Sequence, residues 1–316
     1  MNATRVALAT YAALPALNPD DQLLLASLRT MGIASEAAVW DNPEVVWSRF
    51  DVVVVRSCWD YHLRPAAFAA WIDRVDASGA RLVNPSALLR WNSDKRYLRE
   101  LAVDGVNVVP TKWIEQATLG TSRPPTLSAV LEDTGWRQVV IKPVVSASAH
   151  DTWRTSLERV SVDEARFARV VESAYAGVLI QPFVPEVERT GEWSLVFLGG
   201  SYSHAVLKRP ATGDFRVQWE HGGASVLASA PPALVADART MLSIAARHAG
   251  LDIRDVAYAR VDGVERDGRL LLMELECLEP HLFLGYAATA PDRLAHAVMS
   301  ASRDEGSRTS RQGNTA

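Results

Sequence analysis

The stretch at 270–280, LLLMELECLEP, constrains this chain more than any other. Read with a period of two, Leu271, Met273, Leu275 and Cys277 share one face, and Leu270, Leu272, Glu274 and Glu276 share the other. Two carboxylates side by side on one strand face repel each other and lose hydration on burial. Such a pair serves solubility, a cationic partner or a divalent metal, and alone it suits a solvated edge strand equally well. The preceding run at 256–264, VAYARVDGV, also alternates, with Tyr258, Arg260 and Asp262 on one face. ERDGR at 265–269 reads as the turn of a hairpin. A two-residue Asp267-Gly268 loop sets Asp262 against Met273. A three-residue loop that includes Arg269 sets it opposite Glu274, with Glu276 diagonal, and only this pairing brings the polar faces together. The expectation is therefore a three-residue loop and a site of Asp262, Glu274 and Glu276. All-oxygen ligands suit Mg²⁺ or Mn²⁺, and Mg²⁺ held this way usually also binds phosphate.

With 316 residues, 48% of them hydrophobic, the chain has ample material for two or three lobes. A net charge of −4 and the lack of a basic block argue against a nucleic-acid partner. No apolar run approaches the roughly 18–20 residues a membrane span needs. The N-terminal residues read as a first strand rather than a signal peptide. Two cysteines, Cys58 and Cys277, make no disulfide framework and read as small buried hydrophobes, which suits a cytoplasmic protein.

From 5 to 103, strands at 5–10, 36–40, 51–57 and 81–84 alternate with helices at 19–31, 65–77 and 86–103, which implies a doubly wound α/β lobe. The apolar run DVVVVRS reads as its central strand, and its carboxyl end should open on a ligand crevice. Arg56, Trp59, Asp60, Tyr61 and His62 follow that strand, as a substrate pocket or as an aromatic packing cluster with a structural salt bridge. No GxGxxG motif suggests a nicotinamide cofactor. Lys95 falls in a helical first turn, which disfavours a cation without an anion nearby. A strand at 107–114 and a loop at 116–125 lead to a smaller α/β lobe: helix 126–135, strand 138–142, loop 143–151, strand 152–158, helix 161–176 and strand 178–183. Lys142 closes a buried strand and calls for an anion. SASAH after it is suited to wrapping phosphates. A hairpin turning at Gly199-Gly200 pairs Leu198 with Ser201, which puts Glu192 and Arg209 on one face and Lys208 on the other. The 210–223 segment reads as a covering loop, 231–250 and 290–301 as helices, and 303–316 as a disordered tail.

NSDK with Lys95, VVIKP with Lys142, LIQPF with Gln181 and Phe183, KRPATGDFR with Arg209 and Arg216, HGG, RVD and MELE occur in an order that resembles the ATP-grasp superfamily across about residues 92–285. RSCWDYH, GEWSLVF and ELECLEPHLF are most similar to the group containing the cycloserine-forming O-ureido-serine cyclo-ligase. The resemblance implies an α/β ATP-grasp fold with an N-terminal Rossmann-like lobe, divided as 1–106, 107–185 and 186–302. It implies ATP and two Mg²⁺ ions as cofactors, Mn²⁺ as a substitute, a small amino-acid-like carboxylate as substrate, and a homodimer. Lys95, Lys142 and Lys208 would meet the ATP phosphates, with Ser146 and Ser148 in a flap above them. Gln181, Phe183 and Val184 would hold adenine and Glu186 the ribose. Arg209 would contact the transferred phosphate, and Asp262, Glu274 and Glu276 would hold the metal. Arg216, Arg260 and His221 are placed to grip a substrate carboxylate. Three departures stand out. The flap lacks the usual glycines, Glu276 stands where Asn is usual, and Gln218 also replaces an Asn. The implied reaction is carboxylate–amine ligation through an acyl phosphate, with closure of O-ureido-D-serine to D-cycloserine as its intramolecular form. The alternatives are a ligase joining two substrates, a phosphotransferase using Glu279 or Asp60 as base, and a nucleotide-binding regulator.

Overall fold

The computed structural model describes residues 4–115, 124–211, 216–217 and 222–301. The tail, most of the 116–125 loop, Gln218 and His221 lie outside the described residues. Strands β1 (Arg5–Thr10), β2 (Ala34–Val39), β3 (Val52–Ser57) and β4 (Arg81–Val83) form a parallel sheet in the order β2-β1-β3-β4. Every residue of β3 is buried, as its unbroken apolar run requires of a strand covered on both faces. Helix α1 (Pro19–Thr30) starts on Asn18, whose side chain accepts from the Asp21 amide, with Pro19 in the first turn. Helix α2 (Pro65–Ala77) packs on the same sheet.

The helix expected at 86–103 is two helices, α3 (Ser86–Asn92) and α4 (Tyr97–Val103). Tertiary hydrogen bonds break it. The Asn92 amide donates to Leu275 O and accepts from Cys277 N, and the Lys95 N–H donates to Val144 O instead of continuing a helix. The strand expected at 107–114 is also divided. Val108 bridges to Leu272, whereas β5 (Lys112–Glu115) joins a second sheet.

That second sheet is antiparallel, ordered β5-β8-β6-β7, with β6 (Gln138–Pro143), β7 (Trp153–Ser156) and β8 (Gly177–Pro182). Helices α5 (Leu127–Thr134) and α6 (Val160–Ser173) cover it around a core of its own. The short helix α7 (Glu186–Arg189) leads into a third, antiparallel sheet of β9 (Glu192–Leu198), β10 (Ser201–Arg209), β11 (Ala224–Ala228), β12 (Tyr258–Arg266) and β13 (Arg269–Glu276). Its order is β11-β10-β9-β12-β13. Helix α8 (Pro232–His248) covers one face of this sheet, and α9 (Ala290–Ala301) packs where the first and third sheets meet.

Both hairpins of the third sheet carry a register shift absent from the expectation. In β12–β13 the turn is the two-residue Asp267-Gly268 loop, with Arg266 opposite Arg269 and both turn residues at positive φ. Met273 is then the extra residue of a bulge, so Gly263 pairs with Leu272 but Asp262 pairs with Glu274. The carboxylates still meet, through a bulge instead of a longer loop. The bulge also inverts the phase of β13. Leu270, Leu272, Leu275 and Cys277 share the core under α8, while Leu271 and Met273 lie with a separate cluster on the carboxylate side. In β9–β10 a shift between Tyr202 and His204 sets Lys208 opposite Glu192 and on its face, in place of Arg209. Arg209 therefore faces the other way and is exposed.

Candidate active site

A cleft lies between the second and third sheets. One part of its wall is apolar and carries Val140, Phe183, Val184, Val187, Val217 and Met273. The other is ionic and carries Lys142, Lys208, Arg216, Arg260, Glu192, Asp262, Glu274 and Glu276. Strand alternation aims these side chains into the cleft: Val140 and Lys142 share a face of β6, and Arg260 and Asp262 share a face of β12.

The ionic wall is closely paired. Arg260 donates to both oxygens of Asp262 at 2.8 and 3.1 Å, to Glu276 at 2.6 Å and to the carbonyl of His281 at 2.9 Å. Lys208 bridges Glu192 at 2.6 Å and Asp262 at 3.3 Å, and the Ser194 hydroxyl donates a short hydrogen bond to Asp262. Lys95 reaches Glu274 at 3.3 Å and donates to the carbonyl of Ser146 at 2.6 Å, joining the 143–152 loop to the strand. Lys142 lines the cleft with no ion pair of its own among the described residues.

The three carboxyls ionise differently. Burial opposes ionisation of Asp262, but Arg260 and Lys208 outweigh it and hold its pKa down to about 2. Burial opposes Glu274 likewise, and Lys95 and Lys142 still bring it below its ordinary value. Glu276 is pushed up to about 7 by burial, reinforced by Glu274 and Asp262 against the pull of Arg260. Glu279, beyond the strand end, is pushed up to about 8 by burial and by Glu276. Burial and the Lys95 ammonium depress Lys142.

No group of three or more His, Cys, Asp or Glu side chains converges as a metal cage among the described residues. Arg260 and Lys95 hold the carboxylates instead. The donor set is nonetheless that of a hard cation, all oxygen and on adjacent strands. Glu192, Asp262, Glu274 and Glu276 would repel a polyphosphate drawn in by Lys95, Lys142, Lys208 and Arg260, and divalent cations accompanying the phosphates remove that conflict. The raised pKa of Glu276 marks the same shortage of positive charge.

The remaining expected residues divide. Gln181 is buried in the cleft wall and donates to Thr111 at 3.0 Å, next to Phe183 and Val184. Arg154 stacks over the Phe183 ring at 3.6 Å. Ser146 is buried, accepts from Lys95 at 3.2 Å and donates to Pro143 O. Ser148 is exposed, and Ser148, Ala149 and Asp151 hold the left-handed backbone that glycine would adopt without strain. Glu186 is not in the cleft lining, and Arg266 engages both its oxygens at 2.6 and 2.7 Å. Within RSCWDYH, Arg56 pairs with Asp21, Tyr61 joins the aromatic cluster of Phe68 and Trp71, and Trp59 donates to Glu279 O. Glu192, Ser194 and Met273 escaped the sequence as site residues: a bulge sets the position of Met273, and β9 brings Glu192 and Ser194 to the site by pairing with β12, distant in sequence. The glycine of RVDG was the available signal: a Cβ on Gly263 would lie 2.4 Å from Leu271 O.

Residues 6–84 match the family model for the N-terminal domain of D-cycloserine synthetase DcsG. The chain is 34% identical over 304 residues to the cycloserine biosynthesis protein DcsG of Streptomyces lavendulae, covering 93% of this chain and 97% of that one. The crystal structure of D-cycloserine synthetase DcsG superposes with a TM-score of 0.83 at 32% identity, over 95% of this chain and all of that one. D-alanine–D-alanine ligase from Bacillus anthracis, solved with ATP, shares the fold with a TM-score of 0.67 at 13% identity, over 95% of this chain and 97% of that one.

Proposed function

The chain belongs to the D-cycloserine synthetase DcsG family of ATP-grasp ligases, and on that premise we propose that it closes O-ureido-D-serine to D-cycloserine at the cleft between its second and third sheets. The observation that carries this reading is the division of the cleft into an apolar wall and an ionic wall. A nucleotide base fits against Val140, Gln181, Phe183 and Val184, with its phosphates directed at the cations. The substrate carboxylate takes the γ-phosphoryl group and becomes an acyl phosphate as ADP leaves. The ureido nitrogen that is bonded to oxygen then attacks the acyl carbon and displaces phosphate, which closes the ring; the carbamoyl group still on that nitrogen leaves by hydrolysis as carbon dioxide and ammonia, giving D-cycloserine.

Lys95, Lys142 and Lys208 bind phosphate oxygens in this reading. Lys208 takes the contact with the transferred phosphate that the sequence suggested for Arg209, because the bulge turns Lys208 inward. Arg260 and Arg216 orient the substrate carboxylate. Ser146 anchors the flap through Lys95, and Ser148 lies at its exposed part. Asp262, Glu274 and Glu276 would hold Mg²⁺ as two ions, with Mn²⁺ as a substitute. When bound, the metal neutralises charge on the transferring phosphoryl group. The chain's own residues align the reactants and exclude water. We divide the chain into lobes at 1–106, 107–185 and 186–302, and read the enzyme as a cytoplasmic homodimer.

The test is ADP release and hydroxamate formation with O-ureido-serine of both hands, Mg-ATP and hydroxylamine. Expected are ADP and a hydroxamate with the D form. ADP without hydroxamate favours a phosphotransferase, and product only when a separate amine is added favours a two-substrate ligase.

A further inference from the structure

Asp20 and Asp21 open α1 side by side, yet only one of them is saturated. Asp21 accepts from Arg56 at 2.8 Å, Ser57 at 2.7 Å and Asn18 at 2.7 Å, so both its oxygens are committed to the fold. Asp20 is only 8% exposed, and its Oδ1 accepts from the Gly285 N–H at 3.0 Å. Its Oδ2 is buried without a hydrogen-bond partner. The nearest cationic candidate is His281 Nε2 at 3.8 Å, too far for a hydrogen bond. Arg56, 1% exposed, also keeps an unmatched buried donor, Nη1. Charges this deep are normally fully paired, so an open acceptor and an open donor on side chains that flank the Arg56–Asp21 pair call for a ligand carrying both complements. The His281 side chain, one-third exposed, is the most solvent-exposed member of this cluster.

The cluster adjoins the reaction site. The backbone carbonyl of His281 accepts from Arg260, which also holds Glu276. A ligand with its carboxylate at Arg260 therefore presents its next atoms to Asp20 and His281. We infer that Asp20, assisted by His281, is the subsite that holds the α-ammonium of an amino-acid substrate, fixing which face of its α-carbon meets the phosphoryl group. Arg56, its charge already matched by Asp21, donates its free N–H to an oxygen of the same molecule. This deepens the ligase reading and rests on it for the position of the carboxylate.

The experiment compares O-ureido-D-serine with its des-amino analogue, 3-(ureidooxy)propanoate, in wild type, Asp20→Asn and His281→Ala. Calorimetric binding is measured alongside KM. Wild type is expected to favour the amino form by about tenfold or more, as a charge-assisted hydrogen bond allows. Asp20→Asn should erase most of that preference while KM for ATP stays within about twofold, which a merely structural role would not produce. His281→Ala, at the more exposed position, should weaken the preference by about threefold and covers the case in which Asp20→Asn fails to fold. Preference unchanged in the folded variants, or absent in wild type, overturns the subsite. Wild type that binds the amino form selectively but releases no ADP removes the ligase reading and leaves the subsite standing. Wild type that ligates both forms equally does the reverse.

Discussion

Asp262, Glu274 and Glu276 carry the same functional group into one cluster and meet three different electrostatic fates. Three lysines and an arginine keep Asp262 and Glu274 ionised against burial, whereas Glu276 is left short of positive charge and rises to about 7. The consequence is visible in ligand-free protein. The folded pKa of Glu276 exceeds its unfolded value of about 4.3, so its contribution to stability is fully present below that value and is lost as pH rises through about 7. Glu276→Gln removes this dependence. The melting temperature of wild type relative to Glu276→Gln is therefore expected to fall between about pH 5 and about pH 8, measured by calorimetry without nucleotide or metal. A constant difference across that range would mean that Arg260 already satisfies the carboxylate. The sequence marked this residue because Glu stands where Asn is usual, but its shift depends on burial and on neighbours from another strand.

At the scale of elements, alternation was readable and phase was not. β1, β3 and β6 lie within a residue of the expected bounds because unbroken apolar runs and flanking turn residues define them. The two bulges could not be read the same way. A bulge adds one residue to one strand, leaves composition untouched and reverses every later side chain. That is how Lys208 replaced Arg209 on the face of Glu192, and how Met273 came to line the cleft. The break between α3 and α4 was equally hidden, since Asn92 and Lys95 leave the helix for partners distant in sequence. Gly263 makes the β12–β13 bulge testable. A Cβ there would lie 2.4 Å from a backbone oxygen of β13, which only backbone movement can relieve. Gly263→Ala is expected to cost about 2 kcal/mol of stability or more. Because it displaces Asp262 from Glu274, it should also lower kcat by more than about tenfold. Thermal melts and steady-state kinetics check both, and normal turnover would show that the register tolerates the change.

For the whole molecule, packing groups the three sheets as two bodies. Val6, Leu8 and Val54 of the first sheet share one core with Val196, Leu198 and Tyr258 of the third. Tyr258 donates from its hydroxyl to the first sheet at Val55 O, and Asn84 donates to Tyr258 O and Cys277 O. The second sheet keeps a separate core drawn from residues 114–180. Local opening follows such divisions. Hydrogen exchange in β6 and β8 is expected to be faster than in β3 and β12, and a non-hydrolysable Mg-nucleotide should slow it selectively in the second sheet. Uniform protection with and without nucleotide would show a single cooperative body. We propose that turnover inherits an order from this construction. Asp20, Arg56 and His281 belong to the fused body, whereas the cleft lined by Phe183 and Asp262 has one wall on each body. On that reading, a second sheet that swings away would release nucleotide without disturbing the residues that hold the amino acid, so nucleotide exchange and amino-acid occupancy would be mechanically separate.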